Sequence, residues 1–360
     1  MKYNRLGNTG LQVSELCFGT MTFSGEGFLG GVIGKQGQQE ATRLIERALE
    51  ARINFIDTAD VYSIGESEKL TGQALKELGV TRSDVVLATK VFGRIGPGPN
   101  DIGASRGHIM DAVGRSLERL RTDHIDLYQI HQADIGTGVE EIMRALDDLV
   151  SQRMIRYVGV SNWEAWRIMK ANGIAQMRGW ARIETNQAYY ALAGRDLEQE
   201  LVPLMADQQI GCLVWSPLAG GYLAGKYTPM EDGDGGERQE PGRRAAFDFP
   251  PIDKEQADRI VTAMRPIAKA HGVSVARVAL AWVRAKPFVT STIIGAKTMA
   301  QLNDNIEAVN LTLTAEEMAA LDAVSAQRPQ YPHWMIQRNN STRHYTGAPV
   351  QMGGIPGAKV

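Results

Sequence analysis

Eight strand-length apolar runs, alternating with amphipathic stretches, predict an α/β chain wound into a (β/α)8 TIM barrel. The runs are β-branched or mostly apolar and lack clean alternation, as befits strands covered on both faces. The 360 residues suit one such barrel with extensions, so residues 1–360 are expected to form a single domain.

Residues 1–13 precede the repeat. In "LGNTGLQV", Asn8 and Gly10 mark a turn between two short strands, an N-terminal β-hairpin. Strands are expected at 16–20 ("LCFGT"), 54–59 ("NFIDTA"), 85–90 ("VVLATK") and 124–131 ("HIDLYQIH"). Four more fall at 155–161 ("IRYVGVS"), 182–187 ("RIETNQ"), 211–216 ("GCLVWS") and 288–295 ("FVTSTIIG"). Between them, "QEATRLIERALEA" (39–51) sets Ala41, Leu44, Ile45, Ala48 and Leu49 on one helical face. After a cap at Ser105, "RGHIMDAVGRSLERL" (106–120) does the same with Ile109, Val113, Leu117 and Leu120. "VEEIMRALDDLVSQ" (139–152) repeats the pattern. Two stretches stand outside it. Residues 226–252, with "EDGDGGERQEPGRR", read as a long loop after the seventh strand, and 326–360, with Pro329 and Pro332, as an extended C-terminal tail.

Composition narrows the function. A net charge of −2 leaves no basic surplus for nucleic acid or an anionic membrane. No apolar run reaches the roughly 18–20 residues of a membrane helix, and "MKYNRLGNTG" lacks a signal-peptide core. A cytosolic protein is expected. Cys17 and Cys212 lie in apolar strands and read as buried structural thiols. The six histidines are scattered without H-x-H or H-E-x-x-H spacing, so no metal is expected and a metal-dependent hydrolase lacks support.

"GEGFLG" (25–30) fits the G-x-G-x-x-G dinucleotide pattern. In that motif the third glycine opens a helix whose N-terminus meets the pyrophosphate. Here Gly30 runs into "GVIGKQG", and no helical period begins before about Gln38. Lys35-Gln36 and Leu29 likewise fail the P-loop pattern. The segment reads as a flexible loop and the match as chance.

Reactive residues of such barrels sit at the C-terminal ends of strands. Asp57 closes the second strand, Tyr62 follows five residues on, Lys90 ends the third and His131 the fourth. Taken singly, each has an ordinary structural explanation: a turn cap, packing, a snorkelling amine, a satisfied core histidine. Together their chemistry coheres. A tyrosine hydroxyl near pKa 10 sheds a proton more readily beside an ammonium. A carboxylate would hold that ammonium, and an imidazole would orient a carbonyl oxygen. The set describes a general acid that protonates a forming alkoxide.

These residues resemble the aldo-keto reductase superfamily, in its bacterial-type members related to potassium-channel β-subunits. The likeness covers about residues 3–325 and is carried by "NFIDTADVYSIGESEKLTGQAL" (54–75), "SLERLRTDHIDLYQIH" (116–131), "ALDDLVSQRMIRYVGVSNW" (145–163), "WSPLAGGYLAGKY" (215–227) and "IIGAKTMAQLNDNIEA" (293–308). It implies a catalytic tetrad of Asp57, Tyr62, Lys90 and His131, with Tyr62 as proton donor or acceptor. It also implies an extended nicotinamide cofactor bound without a Rossmann fold. Carboxamide contacts would fall on Ser161, Asn162 and Gln187, ring stacking on Trp215, and the pyrophosphate and ribose on Ser216, Leu218, Gly220 and Lys226. The adenosine end would meet Gly295, Lys297, Gln301 and Asn305, with Gly19, Thr20 and Asp57 as further cofactor contacts. Lys297 stands where relatives meet the 2′-phosphate, which implies NADP(H) in preference to NAD(H).

Three departures bear on what transfers. Gln152-Arg153-Met154 stands where relatives usually read "QGK", Gly138 replaces a common proline, and the 21–37 loop and the tail are unusually long. The leading expectation is an NADPH-dependent carbonyl reductase, or the reverse alcohol oxidation, with Phe23, Phe92, Trp163, Tyr331 and Trp334 as walls of an apolar substrate pocket. The alternative is a cofactor-sensing or regulatory barrel subunit with little turnover. The partner is a small carbonyl or alcohol, its identity left open by the loops, and so is any homo-oligomer.

Overall fold

The computed structural model describes residues 1–25, 32–228 and 243–340. A two-stranded antiparallel hairpin, β1 (Tyr3–Arg5) and β2 (Gln12–Ser14), comes first and ends one residue beyond the expected boundary. Eight parallel strands then close into a barrel: β3 (Leu16–Gly19), β4 (Phe55–Asp57), β5 (Val86–Val91), β6 (Ile125–Ile130), β7 (Ile155–Ser161), β8 (Ile183–Tyr189), β9 (Gly211–Trp215) and β10 (Val289–Ile294). β10 pairs with both β3 and β9, which completes the circle. All eight expected strands are present.

The helices are α1 (Gln38–Glu50), α2 (Glu66–Glu77), α3 (Arg106–Leu120), α4 (Val139–Ser151), α5 (Ala165–Arg178), α6 (Leu197–Gln208), α7 (Arg243–Ala246), α8 (Lys254–His271), α9 (Val275–Arg284), α10 (Met299–Ile306), α11 (Ala315–Val324) and α12 (His333–Asn340). Ala41, Leu44, Ile45 and Ala48 are the buried face of α1, as their spacing requires. Ser105 caps α3, its Oγ accepting from the His108 amide at 3.3 Å.

Two expectations need correction. The tail is not extended throughout, because α12 occupies 333–340 and packs beside α6 through His333 Nε2 and Glu200 Oε1 at 2.9 Å. The 226–252 stretch carries α7 near its end. Residues 26–31, most of the glycine pattern, and 341–360 lie outside the described residues, as does 229–242 of the long loop.

A period of two along each strand builds the barrel interior in layers. Leu6 and Val13 of the hairpin region pack under Cys17, Phe55, Ala88, Leu127 and Leu213, an apolar plug that seals the base. Two residues further along their strands, Asp57, Lys90 and Gln129 form the next layer up, joined there by Gln187. The sequence thus places chemistry directly above a dry floor. Both cysteines are fully buried and free, and burial raises both thiol pKa values. Among the described residues no helix is long and apolar enough to cross a membrane.

Candidate active site

Lys90 Nζ lies 2.6 Å from Asp57 Oδ2, with the side chains 0% and 3% exposed. The same ammonium donates to the Thr58 carbonyl at 2.7 Å and to the Tyr62 hydroxyl oxygen at 3.3 Å. An ammonium has three hydrogens and no acceptor, so all three are placed. The Tyr62 oxygen therefore accepts from Lys90, and its own proton points elsewhere. Burial by itself would lower the Lys90 pKa, but the Asp57 charge and then Tyr62 overcome it, and the net shift is upward. Lys90 is an ammonium at neutral pH.

His131 meets Tyr62 edge-on, with ring centroids 5.8 Å apart at 78°. Burial first, then the Lys90 charge, lowers its pKa to about 3. The imidazole is therefore neutral at physiological pH and can donate one hydrogen bond without carrying charge. Tyr62 and His131 flank one spot at the mouth while Lys90 and Asp57 lie below it, so the structure brings all four expected residues together.

Around the tetrad stand Gln129, Glu68, Asp60 and Arg119, which local pattern did not single out, together with the expected Gln187. Asp57 Oδ1 accepts from Gln129 Nε2 at 3.1 Å and Gln187 Nε2 at 2.9 Å, so both of its oxygens are bonded. Gln129 shares inward parity with Leu127 on β6, a signal legible in "HIDLYQIH". Behind the site, Glu68 is fully buried. It accepts from Thr89 Oγ1 at 2.5 Å and Arg119 Nε at 2.6 Å. Asp60 is buried beside it, and neither of its oxygens has a hydrogen-bond partner among the described residues. Burial, then the Glu68 charge, raises the Asp60 pKa well above the carboxylate range.

Tyr62 opens a strained turn. Ser63 (φ 49°), Ile64 (φ 53°) and Gly65 (φ 90°) are all left-handed, and for a β-branched residue such as Ile64 that conformation is a genuine outlier. Ser63 Oγ holds the turn by donating to the Phe23 carbonyl at 2.9 Å.

The residues expected to hold a cofactor form an arc along the mouth. Ser161 Oγ donates to the Gln187 carbonyl at 2.8 Å, and Asn162 Nδ2 donates to the His131 carbonyl at 3.0 Å. Gln187 turns its NH2 inward to Asp57 and to Gln129 Oε1, so its own carbonyl oxygen is the group left to offer. Trp215 Nε1 donates to Asn162 Oδ1 at 3.1 Å. Its ring lies against Tyr189 and, nearly parallel, against Phe249 at 5.8 Å. Phe249 is a mouth aromatic that local pattern did not single out. It is carried there by Arg244, which donates to the Ala219 and Pro250 carbonyls at 2.8 Å each.

After β9, Ser216, Ala219, Gly220 and Gly221 have φ of 52°, 49°, 66° and 90°. The turn closes on itself: the Ala219 amide donates to the Ser216 carbonyl at 2.8 Å and the Gly220 amide to Ser216 Oγ at 2.9 Å. A Cβ at Gly220 would sit 2.5 Å from the Phe249 carbonyl oxygen, so only glycine fits. The Leu218 carbonyl accepts from the Gly221 and Leu223 amides, and Lys226 Nζ lies 5.3 Å from the Tyr227 ring centre, beside Gly221. Further round, Thr298 caps α10. Lys297 N donates to Gln301 Oε1 at 2.8 Å, and Asn305 Nδ2 to the Gly295 carbonyl at 3.2 Å. Lys297 Nζ donates to the Val32 carbonyl at 2.7 Å, and Gln36 Nε2 to the Lys297 carbonyl at 2.7 Å, so the 32–37 strand-to-helix segment lies against this corner.

Some expected site residues face elsewhere. Gly19 packs on Ile293, and the Thr20 hydroxyl is buried against Ser67 Oγ at 2.9 Å, so both can offer a ligand only backbone. Phe23 is fully buried 5.9 Å from Phe18, and Trp163 is buried beside Arg167. Neither forms an open pocket wall, because each residue's bulk completes the packing beneath the mouth. Phe92 follows the end of β5 and is partly exposed. Tyr331 and Trp334 contact each other on the exposed C-terminal segment.

Fold and site together define a class, a barrel oxidoreductase. The chain belongs to the aldo/keto reductase family, whose model matches residues 15–326. It is 37% identical to an uncharacterized oxidoreductase, YrpG, of Bacillus subtilis over 90% of this chain and 96% of the relative. It is 34% identical to a probable voltage-gated potassium channel subunit beta of Arabidopsis thaliana (92% and 99%) and 34% identical to versiconal hemiacetal acetate reductase of Aspergillus parasiticus (92% and 99%). Family and relatives support an oxidoreductase activity.

Proposed function

We propose that the chain interconverts a small aldehyde or ketone and its alcohol with NADP(H), Tyr62 exchanging the proton. The observation that carries this is the Lys90–Tyr62 hydrogen bond at 3.3 Å, in which the hydroxyl oxygen accepts from a buried ammonium, with a neutral His131 edge-on to the same ring. The residues present fit the cofactor. The Lys226 ammonium beside the Ser216–Gly221 turn suits a pyrophosphate, and the start of α10 with Lys297 suits a further phosphate. Trp215 offers a face for the nicotinamide, and Ser161, Asn162 and Gln187 line its carboxamide side. When bound, that group supplies or takes up the hydride.

The protein's own part is acid–base and electrostatic. His131 donates to the substrate oxygen and orients it. Tyr62 protonates that oxygen as negative charge develops on it, and the Lys90 ammonium stabilises the resulting phenolate. Asp57, held by Gln129 and Gln187, keeps the ammonium in place. Among the substrate contacts we retain Phe92 and Trp334 and add Phe249. A cytosolic setting suits this chemistry. Titrating the protein with NADPH and NADH, then adding a panel of carbonyl compounds, tests the reading. Tyr62→Phe should keep NADPH binding and lose about 10²–10⁴-fold in turnover; full turnover in that variant would refute the proton assignment. The likeness to a channel beta subunit favours a second reading, a cofactor-sensing subunit, which tight NADPH binding without turnover on any compound would select.

A further inference from the structure

Helices α2 and α3 pack side by side on the barrel's outside, and near their facing ends Lys69, Arg115, Glu118, Arg119 and Arg121 line a groove of about 540 Å³. That volume lies within the ~300–1,000 Å³ range of small-molecule sites. Its lining holds four cations and one carboxylate, on a chain whose net charge is −2, so the concentration is local. Lys69 is paired with Glu66 at 2.5 Å and Arg119 with Glu68 at 2.6 Å. Among the described residues, neither Arg115 nor Arg121 joins an ion pair, and together they outweigh Glu118. Guanidinium forks match phosphate oxygens in geometry as well as charge.

Arg119 connects this groove to the tetrad. A Cβ at Gly65 would lie 2.8 Å from Arg119 Cδ and 2.9 Å from its Nε, so the guanidinium stem rests on the end of the strained turn that begins at Tyr62. The same Nε holds Glu68, whose other oxygen takes the hydroxyl of Thr89, the residue before Lys90. One side chain therefore lines the groove, supports the Tyr62 turn and anchors the strand that delivers Lys90.

We propose that the groove between α2 and α3 binds a small anion carrying two or more phosphate groups, and that Arg119 transmits its occupancy to the Tyr62 turn. An anion beside Arg119 competes with Glu68 for the guanidinium and alters the support under Gly65. The site shares no residue with the Lys297 corner, and the two are separable by mutation.

Calorimetric titration with inorganic tripolyphosphate at ionic strength fixed by sodium chloride is the test. With NADPH in excess to occupy the residues proposed for the cofactor phosphates, the wild type should show one saturable site, weakened at least tenfold in Arg115→Ala/Arg121→Ala and unchanged in Lys297→Ala. Binding that survives the double substitution, is lost with Lys297, or vanishes at matched ionic strength would overturn the site. Amide hydrogen exchange across residues 61–67 should change with tripolyphosphate in the wild type and not in the double variant. Saturable groove binding with unaltered exchange there would overturn the coupling.

Discussion

Lys90 and Asp57 form an ion pair at 2.6 Å inside the barrel, and Asp57 has its second oxygen bonded to two amides. Removing one member of such a pair strands the other charge in a dry interior. Asp57→Asn should destabilise the fold by about 3–5 kcal/mol, and Asp57→Leu combined with Lys90→Met should recover most of that loss. Urea unfolding of the three proteins checks this. A single substitution costing less than about 1 kcal/mol would mean that water reaches the pair.

His131 gives the acid limb of the stability curve a defined sign. Its folded pKa is lowered to about 3, while the unfolded chain protonates it near the ordinary value of 6.5. Between those values the unfolded state binds more protons, so stability falls as pH drops from about 6.5 toward 3. Relative to His131→Gln, the wild type should lose about 1–3 kcal/mol more between pH 7 and pH 4. Parallel unfolding curves for the two proteins across that window would contradict the shift.

Lys297 stands at the start of α10, bonded to the Val32 carbonyl. If it reads the 2′-phosphate, Lys297→Ala should weaken NADPH by about 10–100-fold, the worth of a charge-assisted bond, and NADH by much less. Fluorescence titration of both cofactors measures the difference. Equal weakening would assign Lys297 to holding the 32–37 segment alone.

Arg153 follows the end of α4 at φ 64°, a left-handed conformation that favours glycine. A side-chain-bearing residue costs roughly 1–2 kcal/mol in that conformation, part of which glycine returns through chain entropy. Arg153→Gly should raise stability by about 0.5–1 kcal/mol, or about 1–2 °C in Tm, without touching activity. Calorimetry decides it, and a lower Tm would mean that the Arg153 side chain contributes packing that its φ does not reveal.

The barrel was legible because β-branched runs covered on both faces leave an unmistakable rhythm, and the rim position of Asp57, Lys90 and His131 follows once the strands are drawn. Parity would also have found Gln129, two residues from His131 on the same face. Other parts depended on contacts that local pattern does not encode. Arg119 and Glu68 are 51 residues apart. Arg244 reaches backbone carbonyls of Ala219 and Pro250, which any residue could provide. Trp163 and Phe23 look like pocket aromatics by position and are core by packing, because a sequence does not say toward which side of the mouth a ring turns. The helix at 333–340 follows two prolines in a polar run and carries little amphipathic signal of its own.

The layered interior has an evolutionary reading. Asp57, Lys90 and Gln129 face one another because each lies two residues above the apolar plug on its own strand. Inserting a single residue below Lys90 in β5 would swing it outward and bring Thr89 toward the centre, abolishing the pair and the tyrosine contact at once. A lineage built on this chain can therefore vary freely in the length of its connections, but within the strands only in the identity of residues. Diversity of substrate would accumulate in the loops while the proton machinery is inherited whole.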